Sequence, residues 1–118
     1  TNYKMAWKII YFTTKSGDNP VRDFLNSCAE RQQAKVLGVF ENIERYGLQS
    51  VVQHLRKLKP YNLWEIRILG RDNIRVIYVV PLPETVLVLH GFIKKSQETP
   101  PKELLTARRR LEEWRLDN

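Results

Sequence analysis

The sequence predicts an α+β fold: an antiparallel sheet of about four strands, flanked by an N-terminal helical hairpin and a C-terminal helix. Three observations predict it. Residues 29–46 carry one apolar stripe at helical period, and a helix start at Asn19-Pro20 precedes them. Three β-rich segments, near residues 63–69, 74–80 and 85–93, are separated by turn residues. A second helix start, Thr99-Pro100, follows the last of them. The order is β-α-α-β-β-β-α, and its length of 118 residues fits one domain, 1–118, with a modest core.

Each element has its reason. Met5 to Phe12 (MAWKIIYF) gathers aromatic and β-branched residues in a short run and reads as a first strand. Ser16-Gly17-Asp18-Asn19 is turn chemistry. Asn19 suits a cap and Pro20 a first helical position, so a short helix runs from Pro20 to about Ser27. From about Ala29 to Tyr46, the residues Ala29, Gln33, Val36, Phe40 and Ile43 recur at helical spacing, with Leu37 widening the stripe. Gly47 is the expected stop, with Leu48 folding back on the last turn.

Residues 47–60 are polar and basic and read as a loop or an edge segment. Gly70-Arg71-Asp72-Asn73 and Pro81-Leu82-Pro83-Glu84 are the turns of the following meander. Thr99 as cap and Pro100 at the first position start a last helix reaching about Trp114. Leu104, Ala107, Leu111 and Trp114 form its apolar face.

Composition narrows the function classes. The formal charge is +7, from 20 Lys and Arg against 13 Asp and Glu. That balance favours an anionic partner: RNA, DNA, an acidic protein or a membrane surface. Cys28 is the one cysteine, so no intrachain disulfide is possible, as in a reducing cytosol. It reads as a small buried hydrophobe. No apolar run of about 18 residues exists to span a membrane, and no secretory pattern opens the chain. The expected location is the cytoplasm. His54 and His90 are far apart with no cysteine cluster to support them, so no metal site is expected. No Gly-rich phosphate loop or serine nucleophile motif is present, and no cofactor is expected.

The remaining chemistry is cationic. Arg67 lies in an apolar strand, on the face shared with Leu63, Glu65 and Leu69, while Trp64, Ile66 and Ile68 point the other way. It is either an anion ligand or half of an Arg67–Glu65 ion pair on a solvated face. A four-residue loop at 70–73 would set Arg67 against Val76 and put Arg75 on the opposite face. A three-residue loop or a bulge would bring the two arginines together. Tyr78 reads as a core aromatic.

Lys94 and Lys95 stand at the sheet's end, beside a ligand phosphate or as a solvated basic turn. His90 lies on the Val86-Val88-Phe92 face, as a hydrogen-bonded core residue or a catalyst. In the basic loop, Lys57 and His54 could reach over the site, and Arg56 and Lys59 add charge. Arg71 and Arg108 are further candidate RNA contacts. Lysines and arginines suffice to cleave RNA, which carries its own 2′-hydroxyl nucleophile. Crowding cations together disfavours their charged forms and makes a lysine reactive near neutrality.

Together, Lys57-Leu58, Leu63-Trp64-Glu65-Ile66-Arg67, Arg75-Val76-Ile77-Tyr78, Leu89-His90-Gly91-Phe92-Ile93-Lys94-Lys95 and Gln97-Glu98-Thr99-Pro100 resemble the HigB-type toxins, a phage-derived branch of the RelE/ParE superfamily. The resemblance covers roughly residues 5–114. It implies a RelE-like fold and the toxin of a type II toxin-antitoxin system. It also implies a cognate antitoxin, often a helix-turn-helix protein of the HigA kind. The implied activity is ribosome-dependent cleavage of mRNA, a metal-independent endoribonuclease that halts translation. Carried over, Arg67 would stabilise the scissile phosphate, and Lys57, Lys94 and Lys95 would supply charge and proton transfer. RelE-type relatives often place a tyrosine near the start of the final helix. Pro100 and Pro101 occupy that region here, so a lysine or His90 must serve as base. Two other readings suit the same scaffold: a ParE-like DNA gyrase inhibitor, and a non-catalytic basic nucleic-acid-binding protein.

Overall fold

The computed structural model describes residues 6–68, 70, 73–95 and 98–118. Its order is β1 (Lys8–Tyr11), α1 (Pro20–Ser27), α2 (Glu30–Tyr46), a 3-10 segment (Leu48–His54), β2 (Leu55–Lys57), β3 (Trp64–Ile68), β4 (Ile74–Leu82), β5 (Thr85–Ile93) and α3 (Pro101–Asp117). The α+β class and the helical hairpin are as expected. The sheet has five strands in the order β1-β5-β4-β3-β2 and is mixed, not purely antiparallel. The meander is antiparallel, but β1 runs parallel to β5 along its far edge. The fifth strand, β2, comes from the basic 47–60 segment and forms the opposite edge.

Both faces of the sheet are covered. On one, Val21 and Leu25 of α1 and Val36, Phe40 and Ile43 of α2 pack on Ile66, Ile68, Val76, Tyr78, Val86 and Val88. On the other, Ala107 and Leu111 of α3 pack on Leu63, Ile77, Val79, Leu87, Leu89 and Phe92, with Leu104 and Trp114 at the margin. Burial on two faces explains why β5 reads as a nearly unbroken apolar run rather than an alternating one.

Local chemistry sets most boundaries. The Asn19 side chain caps α1, its Oδ1 accepting from Arg22 N at 3.0 Å. Gly47 ends α2 at a φ of 89°, a backbone that favours glycine. The first strand is shorter than Met5–Phe12, and Met5 lies outside the described residues, as do Leu69, Arg71 and Gln97.

Four expectations are corrected. Leu37 does not widen the buried stripe: it is 47% exposed, and Val39 takes that place. Strand β4 runs through Pro81 to Leu82, which tightens the turn to Pro83-Glu84. Beyond Tyr78 it has no β3 partner, so a proline there costs no ladder bond. Thr99 does not cap α3, because Pro100 holds that position and the Thr99 hydroxyl is used elsewhere. Cys28 is only half-buried, its Sγ 3.4 Å from the Phe24 carbonyl oxygen, and burial pushes its thiol up, away from thiolate.

Candidate active site

Alternation on β3 sends Glu65 and Arg67 to the α3 face, because Trp64, Ile66 and Ile68 are taken by the hairpin-side core. Strand β3 ends at Ile68 and β4 begins at Ile74, and these two residues pair. Gly70 (φ 102°) and Asn73 (φ 51°) turn the chain in left-handed conformations that suit those residue types. The register sets Arg67 opposite Arg75, not Val76, the pairing expected of a three-residue loop or a bulge rather than of a four-residue loop. The two guanidinium groups therefore share a face, directly across a strand pair.

Two more cations join them. Ile93 pairs with Ile74, and Lys94 N donates to Asn73 O at 2.8 Å, which pins Lys94 beside the start of β4. Lys94 is only 6% exposed. Arg56, opposite Glu65 in the β2–β3 pairing, stands at the exposed rim.

The balancing charge is Glu65, completely buried. Its Oε2 accepts a 2.8 Å hydrogen bond from the Thr99 hydroxyl. Its Oε1 lies 3.7 Å from Arg75 Nε, an ion pair too long to be a hydrogen bond. The Arg67–Glu65 surface pair considered from sequence is replaced by this buried Arg75–Glu65 pair. Arg75 NH1 bonds the Ile74 carbonyl oxygen at 3.0 Å.

Arg75 and Lys94 thus share the buried Glu65 carboxylate, with Arg67 across from Arg75 on the same face and Glu98 a second acidic charge acting on Lys94. Among the described residues, Glu65 Oε1, Arg67 Nε and Arg75 Nε are buried without a hydrogen-bond partner. Two of these atoms, Arg75 Nε and Glu65 Oε1, face each other across the 3.7 Å ion pair, which leaves Arg67 Nε as the buried donor outside that pair, and buried donors are nearly always satisfied. Burial, chiefly, lowers the Lys94 pKa below the ordinary lysine value; Glu65 and, less strongly, Glu98 oppose that shift, while Arg75 and Arg56 add to it. Burial likewise lowers that of Arg75, against the pull of Glu65. A lysine so placed gives up its proton more readily than one in water.

His54 reaches the same strand. Its Nδ1 lies 3.0 Å from the Arg67 carbonyl oxygen, and a carbonyl only accepts, so Nδ1 carries the proton. In the neutral ring, Nε2 is then the acceptor. Lys95 is exposed beside Lys94, and Lys59 is exposed in the turn before β3.

Other candidates lie elsewhere. Lys57 pairs with Trp64, whose ring packs on the hairpin side, so alternation sets Lys57 on the face opposite Arg67. Its Nζ sits 5.5 Å from the Trp64 ring centroid and donates to Asn62 Oδ1 at 3.3 Å. Between Ile77–His90 and Tyr78–Val88 the β4–β5 register shifts by one. This bulge moves His90 off the Val86–Val88 face and onto the α3 side, stacked on Phe92. There Nε2 donates to Glu103 Oε1 at 2.8 Å, and Nδ1 accepts from Arg110 NH1 at 3.1 Å. Both ring nitrogens are occupied, and His90 clasps α3 rather than joining the cationic cluster. Arg108 is distant too, over the Tyr61 ring. Tyr78 is a buried core residue, its hydroxyl pKa raised by burial. Arg71 lies outside the described residues.

Sequence reasoning missed the roles of Glu65 and Thr99. An acidic residue in an apolar strand was the available signal for Glu65. Nothing local links Thr99 to a residue 34 positions away. Among the described residues, no group of three or more His, Cys, Asp or Glu side chains converges as metal ligands would. No described helix is long and apolar enough to cross a membrane.

The family described as "Phage derived protein Gp49-like (DUF891)" matches residues 23–112, a span that includes every member of the cationic cluster. No curated protein matches the chain. The chain belongs to the Gp49-like family, which is related to the RelE/HigB toxin superfamily.

Proposed function

We propose that this Gp49-like protein is the toxin of a toxin-antitoxin pair and a metal-independent endoribonuclease acting on mRNA at the ribosome. The observation that carries this reading is the placing of Arg67, Arg75 and Lys94 at one end of the sheet, with the buried Arg67 Nε unsatisfied among the described residues.

The chemistry follows from RNA itself. The 2′-oxygen attacks the adjacent phosphorus, the bond from phosphorus to the 5′-oxygen breaks, and a 2′,3′-cyclic phosphate and a 5′-hydroxyl result. Charge builds on the non-bridging oxygens, where Arg67 and Arg75 donate hydrogen bonds that strengthen in the transition state. The 2′-hydroxyl proton goes to a basic nitrogen. His54 Nε2 suits that role because the Arg67 carbonyl holds the proton on Nδ1. Lys94, eased toward proton release by burial, protonates the leaving 5′-oxygen. Lys95 and Arg56 at the rim attract the strand.

The partner for this surface is an antitoxin, a helix-turn-helix protein of the HigA kind, whose acidic segment masks the cluster. Charge complementarity chiefly hastens that encounter. The test is induction in cells, with transcript ends mapped and translation followed. New ends within coding regions that vanish in Arg67→Ala support the nuclease reading. A DNA-damage response without transcript cleavage would replace it with gyrase inhibition. A folded chain that is harmless would reduce it to a basic binding protein.

A further inference from the structure

The geometry points to a second nucleic-acid contact, outside the cationic cluster: a stacking platform for one unpaired RNA base, made by Tyr61 and Arg108. It rests on the reading that RNA is the substrate.

The turn joining β2 to β3 carries Tyr61 and Asn62 against the outer flank of α3. A cavity of about 390 Å³ lies between them, within the range of small-ligand sites. The Arg108 guanidinium lies over the Tyr61 ring with Cζ 4.3 Å from its centroid. Tyr61 is half-buried against the core below α3 and holds that guanidinium in place. Arg108 is exposed on the helix, so the far side of its planar group faces solvent.

A flat, fixed cation with one open face suits a nucleobase, which stacks on guanidinium planes as it does on aromatic rings. Asn62 supplies a polar handle. Lysine only donates, so the 3.3 Å bond from Lys57 Nζ fixes Asn62 Oδ1 as the acceptor toward Lys57 and leaves its NH₂ to donate to a base acceptor. Arg109 and Arg115 line the same cavity, with Glu112 as the opposing charge, and suit the phosphate of that nucleotide.

The platform is also in reach of the cluster. Tyr61 precedes Glu65 by four residues, so their Cα atoms are at most about 14 Å apart, the reach of a fully extended chain. A single strand spans that in about four stacked nucleotides at roughly 3.4 Å each. One RNA strand can therefore place a phosphate at Arg67 and a base at Arg108.

The test is equilibrium binding of a short single-stranded RNA oligonucleotide across a salt series, for wild type, Arg108→Ala and Arg108→Lys, with thermal unfolding as a control of fold. Both substitutions lie on an exposed helix face. Arg108→Ala is expected to weaken binding roughly five- to hundredfold, the range of a lost stacked base. Arg108→Lys keeps the charge but loses the plane. It is expected to lose most of that affinity while keeping the wild-type salt slope. Wild-type affinity in Arg108→Lys would show charge alone at work and overturn the platform. So would unchanged binding in Arg108→Ala, or duplex RNA bound as tightly as the single strand. If wild type itself fails to bind RNA at low salt, the RNA reading falls and the platform with it. That outcome is distinct from binding that ignores Arg108.

Discussion

Arg67 and Arg75 stand directly opposite each other on the α3 face of the sheet, the Arg75 Nε ion-paired with Glu65 and the buried Arg67 Nε without a hydrogen-bond partner among the described residues. Like charges across a strand pair are destabilising, and here the buried Glu65 offsets them only in part. The arrangement makes sense if an incoming anion completes it. Replacing Arg67 or Arg75 with alanine is therefore expected to slow RNA cleavage about a hundredfold or more, on the scale of a lost transition-state donor. The double variant should fall by less than the product of the two, because both grip one phosphate. Single-turnover cleavage measures this, and strictly multiplicative losses would argue for two separate phosphates.

Removing the Glu65 charge leaves Arg75 buried without its ion-pair partner. Glu65→Ala should lower unfolding free energy by about 3 kcal/mol, as for other broken buried pairs. Glu65→Gln should lose less, because its amide oxygen still accepts from Thr99. Chemical denaturation of the two variants checks the order.

Lys94 as proton donor must be charged to act, and its pKa lies below the ordinary lysine value. Cleavage should then fall as pH rises through that lowered value, at a pH lower than an unperturbed lysine would give. Lys94→Arg keeps the charge but cannot release a proton in this range, so the alkaline limb should vanish along with most of the rate. A pH–rate profile of both proteins decides it.

His90 titrates against the fold. Burial chiefly, and then Arg110, lower its pKa, while its bond to Glu103 works the other way. Below about pH 6.5, the unfolded value, the unfolded chain takes up a proton that the folded ring resists. Stability is thus complete above that pH and declines as pH falls toward the lowered folded value. His90→Gln, which does not titrate, should flatten this acid slope in denaturation measured from pH 7.5 to 5.

Gly91 sits where β5 passes α1. A Cβ there would lie 2.5 Å from the Phe24 ring. Gly91→Ala should destabilise by about 1–3 kcal/mol through overpacking, with the helical hairpin displaced. Thermal unfolding measures it, and an unchanged midpoint would mean that Phe24 moves aside freely.

Much of this molecule is local and was legible. Asn19-Pro20 opens α1, the Val36–Phe40–Ile43 spacing builds α2, and three apolar runs parted by turn residues specify a meander. These follow from dihedral preference and periodicity, which act within a few residues. That Arg67 is an unusual residue for an apolar strand was also visible, because cations are rarely placed in a core without cause. The parallel pairing of β1 with β5 was not legible, since no turn connects the two strands and their contact spans most of the chain.

What the sequence determined by itself is three helices and four of the five strands, the face of β3 that carries Arg67, and a surplus of positive charge. The tertiary structure alone decided which cations meet. The β3–β4 register set Arg67 against Arg75, and one bulge in β5 carried His90 away to Glu103 and Arg110. Alternation on a strand has a period of two, so a single-residue shift reverses the face of every side chain beyond it. Register of that kind depends on packing between strands far apart in the chain, and no spacing within one strand encodes it.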